Sequence, residues 1–215
     1  GSMKPLIFVA GAGAGIGGHV AKRFAREGYH AVLCRRSNGI GLDALVSEIE
    51  TEGGSAEGHL LNAVEPDTIE DRIATVEADV GPIEVVLFNL GAQIGNKMLS
   101  ETTYKQFELG WRLATFALFR TVQTVVPYME ERGGGTILVT SATAAYRGNP
   151  GQGSHASAMG GRRLLCQSLN AELAPKGIHM AHILIDGPVD APDTLGKMLG
   201  PERFQELRER RGLGN

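Results

Sequence analysis

A glycine-rich turn near the start of the chain has the spacing of a phosphate-binding site. Residues 11–17 follow the apolar run 6–9 and precede a helical pattern at residues 18–27. In such a setting, one glycine permits a tight turn, one lets the backbone approach a diphosphate, and one lets the helix pack closely on the strand. The helix start adds unpaired N–H groups and a positive dipole end. We therefore predict that a nucleotide binds here; a glycine loop without a ligand is the alternative. The predicted contacts are Gly11, Ala14, Gly15, Ile16 and Gly17.

Two arginines follow the second predicted strand, residues 29–34. In sites selective for an unphosphorylated ribose, this place usually holds an acidic residue that accepts a hydrogen bond from the 2′-hydroxyl. Arg35 and Arg36 instead carry guanidinium groups, which suit bidentate binding of a 2′-phosphate. The pattern favours NADP(H) as the cofactor; two solvated surface arginines are the alternative.

These residues depend on strands and helices that alternate along the whole chain. The repeated β-α units with short connections predict an α/β fold, a Rossmann-type doubly wound parallel sheet in three layers, with strand order 3-2-1-4-5-6. The predicted strands are residues 6–9, 29–34, 59–62, 83–89, 136–140 and 178–185. The predicted helices are residues 18–27, 42–52, 67–80, 104–131 and 157–174, followed by a charged helical tail at 201–215.

Length and composition predict one domain, residues 3–215, after a Gly1-Ser2 remnant of expression. The 215 residues are 42% hydrophobic, enough for a sizeable core. A net charge of -3 gives no reason to expect a nucleic-acid or anionic-membrane partner, and no apolar run is long enough to span a bilayer. Two cysteines, Cys34 and Cys166, form neither a disulfide framework nor a metal cluster. With no signal peptide visible, we expect a cytoplasmic protein without a metal.

The order of these motifs resembles the short-chain dehydrogenase/reductase family from Pro5 to about Pro192. The glycine turn is similar to the family's Thr-Gly-x-x-x-Gly-x-Gly, with Ala10 in place of Thr. Asn62-Ala63 stands where the family has Asp-Val beside the adenine ring, and Phe88-Asn89-Leu90-Gly91 is similar to its Asn-Asn-Ala-Gly. The resemblance implies an NADP(H)-dependent oxidoreductase acting on a small carbonyl or alcohol. Its further implied cofactor contacts are Asn62, Ala63, Asn89 and Gly91.

The same resemblance assigns the family's catalytic side chains to positions that differ in this chain. In the family, a Tyr exchanges the proton, a Lys four residues later lowers the pKa of that phenol, a Ser polarises the substrate oxygen, and an Asn orders a water. A Thr meets the carboxamide. The corresponding residues here are His155, Met159, Ala142, Ala114 and Ala191. The resemblance therefore implies an impaired centre, in which the nicotinamide end is held poorly.

His155 and Ser141 are the candidate catalytic residues that remain. An imidazole titrates near neutrality and can act as a general acid, although it ends roughly an ångström or two nearer the backbone than a phenol oxygen, a misplacement that can cost ~10²-fold in rate. A partly buried, hydrogen-bonded histidine is the alternative. Ser141 and Thr143 flank Ala142 and can polarise a carbonyl only if the loop is shifted, because neighbours at a strand end point to opposite sides.

Two functions stay open from the sequence. One is an NADP(H)-dependent oxidoreductase with an altered centre; the other is a non-catalytic nucleotide-binding or scaffold protein on the same fold. A methyltransferase fits the glycine loop but not the later motifs. The long helices at residues 104–131 and 157–174 pair across a dimer interface in the family, which implies a homo-oligomer, a dimer or a tetramer. Residues 192–215 are short and charged for a seventh strand, so either the sheet has six strands or the chain is shortened.

Overall fold

The computed structural model describes residues 4–13, 15–91 and 95–184, together with Gln205 and Glu209. Its strands all pair in parallel and form one sheet with the order β3-β2-β1-β4-β5-β6. The predicted doubly wound sheet and its strand order are confirmed. The strands are β1 Leu6–Ala10, β2 His30–Arg35, β3 Ser55–Leu60, β4 Ile83–Phe88, β5 Gly135–Ser141 and β6 Ile178–Leu184.

Helices follow the strands in alternation and cover both faces of the sheet. They are α1 Ile16–Arg26, α2 Gly39–Thr51, α3 Thr68–Asp79, α4 Tyr104–Trp111, α5 Ala117–Glu131 and α6 Gly153–Leu173. A π-helical turn, Arg112–Phe116, joins α4 to α5, so the predicted helix at residues 104–131 is continuous but locally widened. Such turns are often found at functional sites. None of the described helices combines the length and the hydrophobicity that a membrane span requires.

The two faces of the sheet carry separate hydrophobic cores. Ile7 and Val9 of β1 pack on the side of α1 and α2, where Phe24 is fully buried. Phe8 packs on the other side, where Val125 of α5 lies in the same core. Successive strand residues point to opposite faces, so a sheet covered on both sides needs continuously apolar strands. This requirement explains why β1 and β4 were recognisable in the sequence.

The third strand was predicted wrongly at residues 59–62. It begins at Ser55 and ends at Leu60. The segment is a sheet edge, and its alternate residues are polar, so it lacks an apolar signal. Pairing with β2 defines it instead, with His30 opposite Ser55. Tertiary context here overrides strand propensity.

Helix α6 begins at Gly153, four residues before the predicted start, so His155 lies in its first turn. No side chain caps this start of the helix, so the sequence carries no capping signal that would have predicted it. Several other predictions fall outside the described residues: Ala14, Ala191, the question of a seventh strand, and most of the tail. Within the tail, Gln205 and Glu209 are helical. The single domain at residues 3–215 stays a prediction.

Candidate functional site

The carboxyl ends of the parallel strands meet at one edge of the sheet and bring most predicted site residues together. Gly11 follows β1, Arg35 ends β2, Asn89 follows β4 and Ser141 ends β5. The strand order reverses between β1 and β4, and open sheets of this kind bind ligands in the crevice at that point.

The glycine turn is shaped by two close backbone approaches. Gly11 has φ +98°, and a Cβ there would lie 2.7 Å from the Asn89 carbonyl oxygen. A Cβ on Gly17 would overlap the Gly11 carbonyl oxygen. The N–H groups of Gly11 and Ala12 both donate to the Cys34 carbonyl at 2.9 Å, which fixes the turn to the end of β2. These two glycines are therefore required by the turn itself.

The start of α1 is open toward the crevice. Gly15 occupies the N-cap position without a side-chain cap, and the first turn holds no acidic residue. Within the described residues, no atom comes within 4 Å of where a Cβ of Gly15 would lie. Uncapped N–H groups, a positive helix end and open space beside a glycine are what a diphosphate requires. The turn thus fits the phosphate half of a dinucleotide.

Arg35 and Arg36 stand at the end of β2 with their charges uncompensated by the described residues. Neither forms an ion pair there, and Arg36 is exposed. A Nη1 atom of Arg35 lies 2.9 Å from where a Cβ of Gly41 would be, beside the first turn of α2. Asn38 caps that turn by accepting from the Gly41 N–H at 3.0 Å. Both guanidinium groups are free to meet an anion at this edge.

The loop after β3 is held by hydrogen bonds between its own residues and by hydrogen bonds from Arg120. The side chain of Asn62 accepts from the Val64 N–H and donates to the Glu65 carboxylate, both at 3.3 Å. Ala63 is buried, and its carbonyl accepts from the Arg120 guanidinium. Glu70 pairs with Arg120 at 2.8 Å, and this hydrogen bond lowers the pKa of the Glu70 carboxyl. The Asn62 amide is therefore engaged in its own loop.

Asn89 ties three strand ends together. Its amide donates to the Gly11 carbonyl at 3.1 Å, and its side-chain oxygen accepts from the Thr140 hydroxyl at 2.6 Å. Its backbone N–H donates to the Ala10 carbonyl at 2.8 Å. Gly91 follows with φ +74°, and a Cβ there would lie 2.7 Å from the Ala114 Cα. The motif was predicted as a cofactor contact, and the geometry shows that Asn89 also holds the glycine turn in place.

The positions that resemble the family's Asn, Ser and Lys do come together, as an apolar cluster. Ala114 and Met159 are buried with Ala145 and Ala158, and Ala142 packs against them. The Thr115 hydroxyl donates to the Ala158 carbonyl at 2.7 Å, which joins α6 to the π-helical turn. None of the clustered side chains carries a titratable group or a strong hydrogen-bonding group.

His155 stands one helical turn before Met159 and is 9% exposed. Its Nδ1 atom is buried and has no hydrogen-bond partner among the described residues. Burial and, second, the Arg162 charge lower the pKa of His155, which favours the neutral form of the ring. Ser141 is buried, and its hydroxyl reaches the Ala142 carbonyl only at 3.5 Å. Among the described residues, no hydrogen bond joins these two predicted catalytic side chains.

Arg162 is a residue of this site that the sequence did not single out. It is fully buried, and it donates to the carbonyls of Leu90 and Phe88, the latter at 3.2 Å, and to the Thr140 hydroxyl at 3.1 Å. Burial lowers its pKa to about 10. The available signal was its spacing: it lies three residues after Met159 and seven after His155, on the same helix face.

Comparisons with known proteins agree with this fold. A sequence profile described as short chain dehydrogenase matches residues 5–194. The chain is 30% identical over 210 residues to the short-chain reductase protein NovJ of Streptomyces niveus, covering 97% of this chain and 79% of that protein. It is 28% identical over 189 residues to the 3-oxoacyl-(acyl-carrier-protein) reductase FabG of Thermotoga maritima, covering 88% of this chain and 76% of that protein.

Solved structures give the same result. A short-chain dehydrogenase from Rhodopseudomonas palustris superimposes with a TM-score of 0.83 at 38% identity, covering 90% of this chain and 89% of that one. A 7α-hydroxysteroid dehydrogenase complexed with NADH and 7-oxo glycochenodeoxycholic acid gives a TM-score of 0.79 at 26% identity, covering 85% of this chain and 70% of that one.

Proposed function

Because the chain belongs to the short-chain dehydrogenase family, we propose that it is an NADP(H)-binding oxidoreductase with a weakened proton-transfer centre, acting on a small carbonyl or alcohol. The observation that carries the proposal is the glycine turn, whose two close approaches at Gly11 and Gly17 leave the start of α1 open. Such a turn offers backbone N–H groups and few side chains, and it therefore suits a diphosphate, which binds to backbone N–H groups.

The remaining cofactor contacts follow from the strand ends. Arg35 and Arg36 bind the 2′-phosphate, which distinguishes NADP(H) from NAD(H). The Asn62-Ala63 loop lies beside the adenine, and Asn89 and Gly91 lie along the dinucleotide. A relative of 26% identity was solved with NADH, which supports a nicotinamide cofactor as the class of ligand.

The bound cofactor supplies the hydride, and the chain must supply position and a proton. Met159 offers no charge to hold a ribose hydroxyl. His155 is the side chain on the same helix face that can move a proton, and because its lowered pKa favours the neutral form, it donates only its weak ring N–H. The substrate end therefore supports slow turnover.

A non-catalytic nucleotide-binding protein is the second candidate function. The apolar cluster of Ala114, Ala142 and Met159 favours it, because these positions carry the reaction in the family and here bury hydrocarbon. The phosphate turn is common to both functions, so nucleotide binding alone does not separate them.

We also propose that the protein is a homo-oligomer in a reducing compartment, the cytoplasm. Aromatic side chains on α4 and α5 that are exposed, among them Tyr104 and Trp111, support the first part. The second part is supported by two buried thiols: burial raises the pKa of Cys34 to about 12 and that of Cys166 to about 11, which keeps both unreactive.

Turnover decides between the two functions. We expect the wild type to oxidise NADPH in the presence of a panel of small ketones, and His155→Phe to be slower by about tenfold or more, as befits loss of a general acid. Gly17→Val, whose side chain would overlap the Gly11 carbonyl oxygen and so disrupt the phosphate turn, gives the background rate. Equal rates for the wild type and His155→Phe would exclude His155 as the general acid. A wild-type rate no higher than that of Gly17→Val would favour the non-catalytic nucleotide-binding protein.

A further inference from the structure

Arg162 is a buried cation whose acceptors are all uncharged. Its side chain is 0% exposed, and its partners are two backbone carbonyls and the Thr140 hydroxyl. The Nε atom is buried and meets no hydrogen-bond acceptor in the part of the chain that the structure describes. A guanidinium N–H can only donate, and it cannot shed its proton at neutral pH, so an acceptor is missing at this atom.

Two other arginines that donate to backbone carbonyls, the buried Arg120 and the exposed Arg132, do have carboxylate partners. Arg120, which is 9% exposed, donates to both oxygens of Glu70 at 3.0 and 2.8 Å as well as to backbone carbonyls. Arg132 pairs with Glu77 and also donates to the Ile83 carbonyl. Arg162 is more buried than either and has no ion pair among the described residues. Arg120 and Arg132 thus each have a carboxylate partner, whereas Arg162 has none among the described residues.

Other buried polar atoms on α6 and β6 also lack hydrogen-bond partners among the described residues. They are His155 Nδ1, His182 Nε2 and Ser154 Oγ. Burial and then the charge of Arg162 lower the pKa of both histidines, that of His182 to about 4, with Arg163 adding to the effect at His182. The two rings therefore stand within electrostatic reach of a fixed positive charge. Ser154 and His155 belong to the uncapped first turn of α6, whose dipole also favours an anion.

The neighbourhood is open on one side and apolar on another. His182 and Ser154 are half-buried, and Tyr146, whose ring centroid lies 6.3 Å from that of His182, is 53% exposed. The Arg163 guanidinium covers the same Tyr146 ring at 4.2 Å. Met159, one helical turn from both His155 and Arg162, leads into the apolar cluster. A ligand here meets positive charge at one end and hydrocarbon at the other.

We propose that the face of α6 bearing His155 and Arg162, together with His182 of β6, binds the carboxylate of a small organic acid with a short apolar tail. The carboxylate supplies the acceptor that Arg162 Nε lacks and the charge that Glu70 supplies to Arg120. The site is separate from the phosphate turn, and it holds whether or not the bound acid is turned over.

The test follows the imidazole signals of the full-length protein by NMR. Sodium butyrate and sodium acetate are titrated against sodium chloride at constant ionic strength. We expect saturable shifts of the His155 and His182 signals, tighter for butyrate than for acetate. The His30 and His59 signals, from the Glu57 cluster on β2 and β3, should stay unchanged and serve as the internal control. Signals assigned through His155→Phe and His182→Phe identify the sites.

The variants separate a bound carboxylate from a bound water. Arg162→Met should remove the saturable shift while the protein still melts cooperatively, because an apolar isostere replaces an unpaired buried charge. Arg162→Lys keeps the charge without the guanidinium fork and should weaken butyrate by about tenfold. Equal shifts with chloride and butyrate, or none in the wild type, would show water or bulk salt at the site and overturn the proposal; the wild-type result stands even if a variant fails to fold.

A second pair of measurements keeps this proposal distinct from cofactor binding. Arg35→Gln should weaken adenosine 2′,5′-bisphosphate and leave the butyrate titration unchanged, whereas Arg162→Met should do the reverse. Loss of both ligands in Arg162→Met would mean that Arg162 supports the fold as a whole, and it would overturn the specific site.

Discussion

At the end of β2, the charge of two side chains separates one nicotinamide cofactor from the other. Arg35 and Arg36 have no ion-pair partner among the described residues, so a 2′-phosphate would meet guanidinium groups that need not break an existing bond. We predict that the double variant Arg35→Gln, Arg36→Gln binds NADPH about 10–100-fold more weakly, as expected for loss of one or two charge-assisted hydrogen bonds. Titration calorimetry at fixed salt measures the change.

NADH is the matched ligand for that measurement, because it lacks the 2′-phosphate and should bind the double variant and the wild type alike. Adenosine 2′,5′-bisphosphate should bind the wild type about as well as NADPH does if only the adenosine half is gripped. An equal loss of NADH and NADPH affinity in the variant would contradict phosphate recognition by these arginines.

Site residues could be predicted from the sequence where they stand at a motif position of the family. They could not be predicted where burial of the side chain is the decisive property. The sequence assigned Ala114, Ala142 and Met159 to one centre, and the structure does cluster them. Arg162 was missed because an Arg-Arg pair on a helix ordinarily indicates a solvated face. Only the packing of α6 on the ends of β4 and β5 reveals that one of the two is fully buried.

Among the elements, β3 was predicted with the wrong bounds, and the contribution of its side chains to stability should depend on pH. Burial raises the pKa of Glu57, but hydrogen bonds from His30 at 2.8 Å and His59 at 2.7 Å, with the charges of both rings, outweigh it and lower the pKa. A carboxyl whose pKa is lower in the folded than in the unfolded chain stabilises the fold above the unfolded pKa. That stabilisation is lost as pH falls through the folded pKa.

We therefore predict that Glu57→Gln lowers the free energy of unfolding at pH 7 and that the difference from the wild type narrows below about pH 4, near the ordinary range of a glutamate. Urea unfolding at a series of pH values measures both. Glu48→Gln provides the matched substitution, because Glu48 lies on the exposed face of α2 and, among the described residues, forms its ion pair with Lys22. A difference that is constant across the pH range would show that Glu57 acts by packing and not by charge.

The elements recovered from the sequence share a physical property that β3 and the start of α6 lack. Central strands such as β1 and β4 are buried on both faces, so their whole length is apolar and their bounds are visible. An edge strand with Ser55, Glu57 and His59 on one face is specified by its partner. Likewise, α6 starts at Gly153 without a capping side chain, so tertiary contacts define where it begins.

At the scale of the whole molecule, part of the exposed apolar surface of the described residues lies on α4 and α5, helices that the family pairs between subunits. Tyr104, Phe107 and Trp111 of α4 are exposed at helical spacing, and Trp111 stacks on Phe116 at 5.2 Å in the π-helical turn. Phe119 of α5 is also exposed. A monomer in water would leave these rings hydrated, and burying them against a second copy removes that apolar area from water.

We predict that the wild type sediments as a dimer or tetramer and that Trp111→Glu with Phe119→Glu shifts it toward the monomer, because two buried charges per subunit would oppose association. Analytical ultracentrifugation over a concentration series measures the oligomeric state.

Ile40→Glu is the control, since Ile40 is 86% exposed on α2, which packs on the opposite face of the sheet. A wild type that is monomeric at every concentration would refute the interface, and a monomer produced equally by Ile40→Glu would move it to another face. Loss of oligomers in the double variant with nucleotide binding intact would show that each subunit holds its cofactor alone.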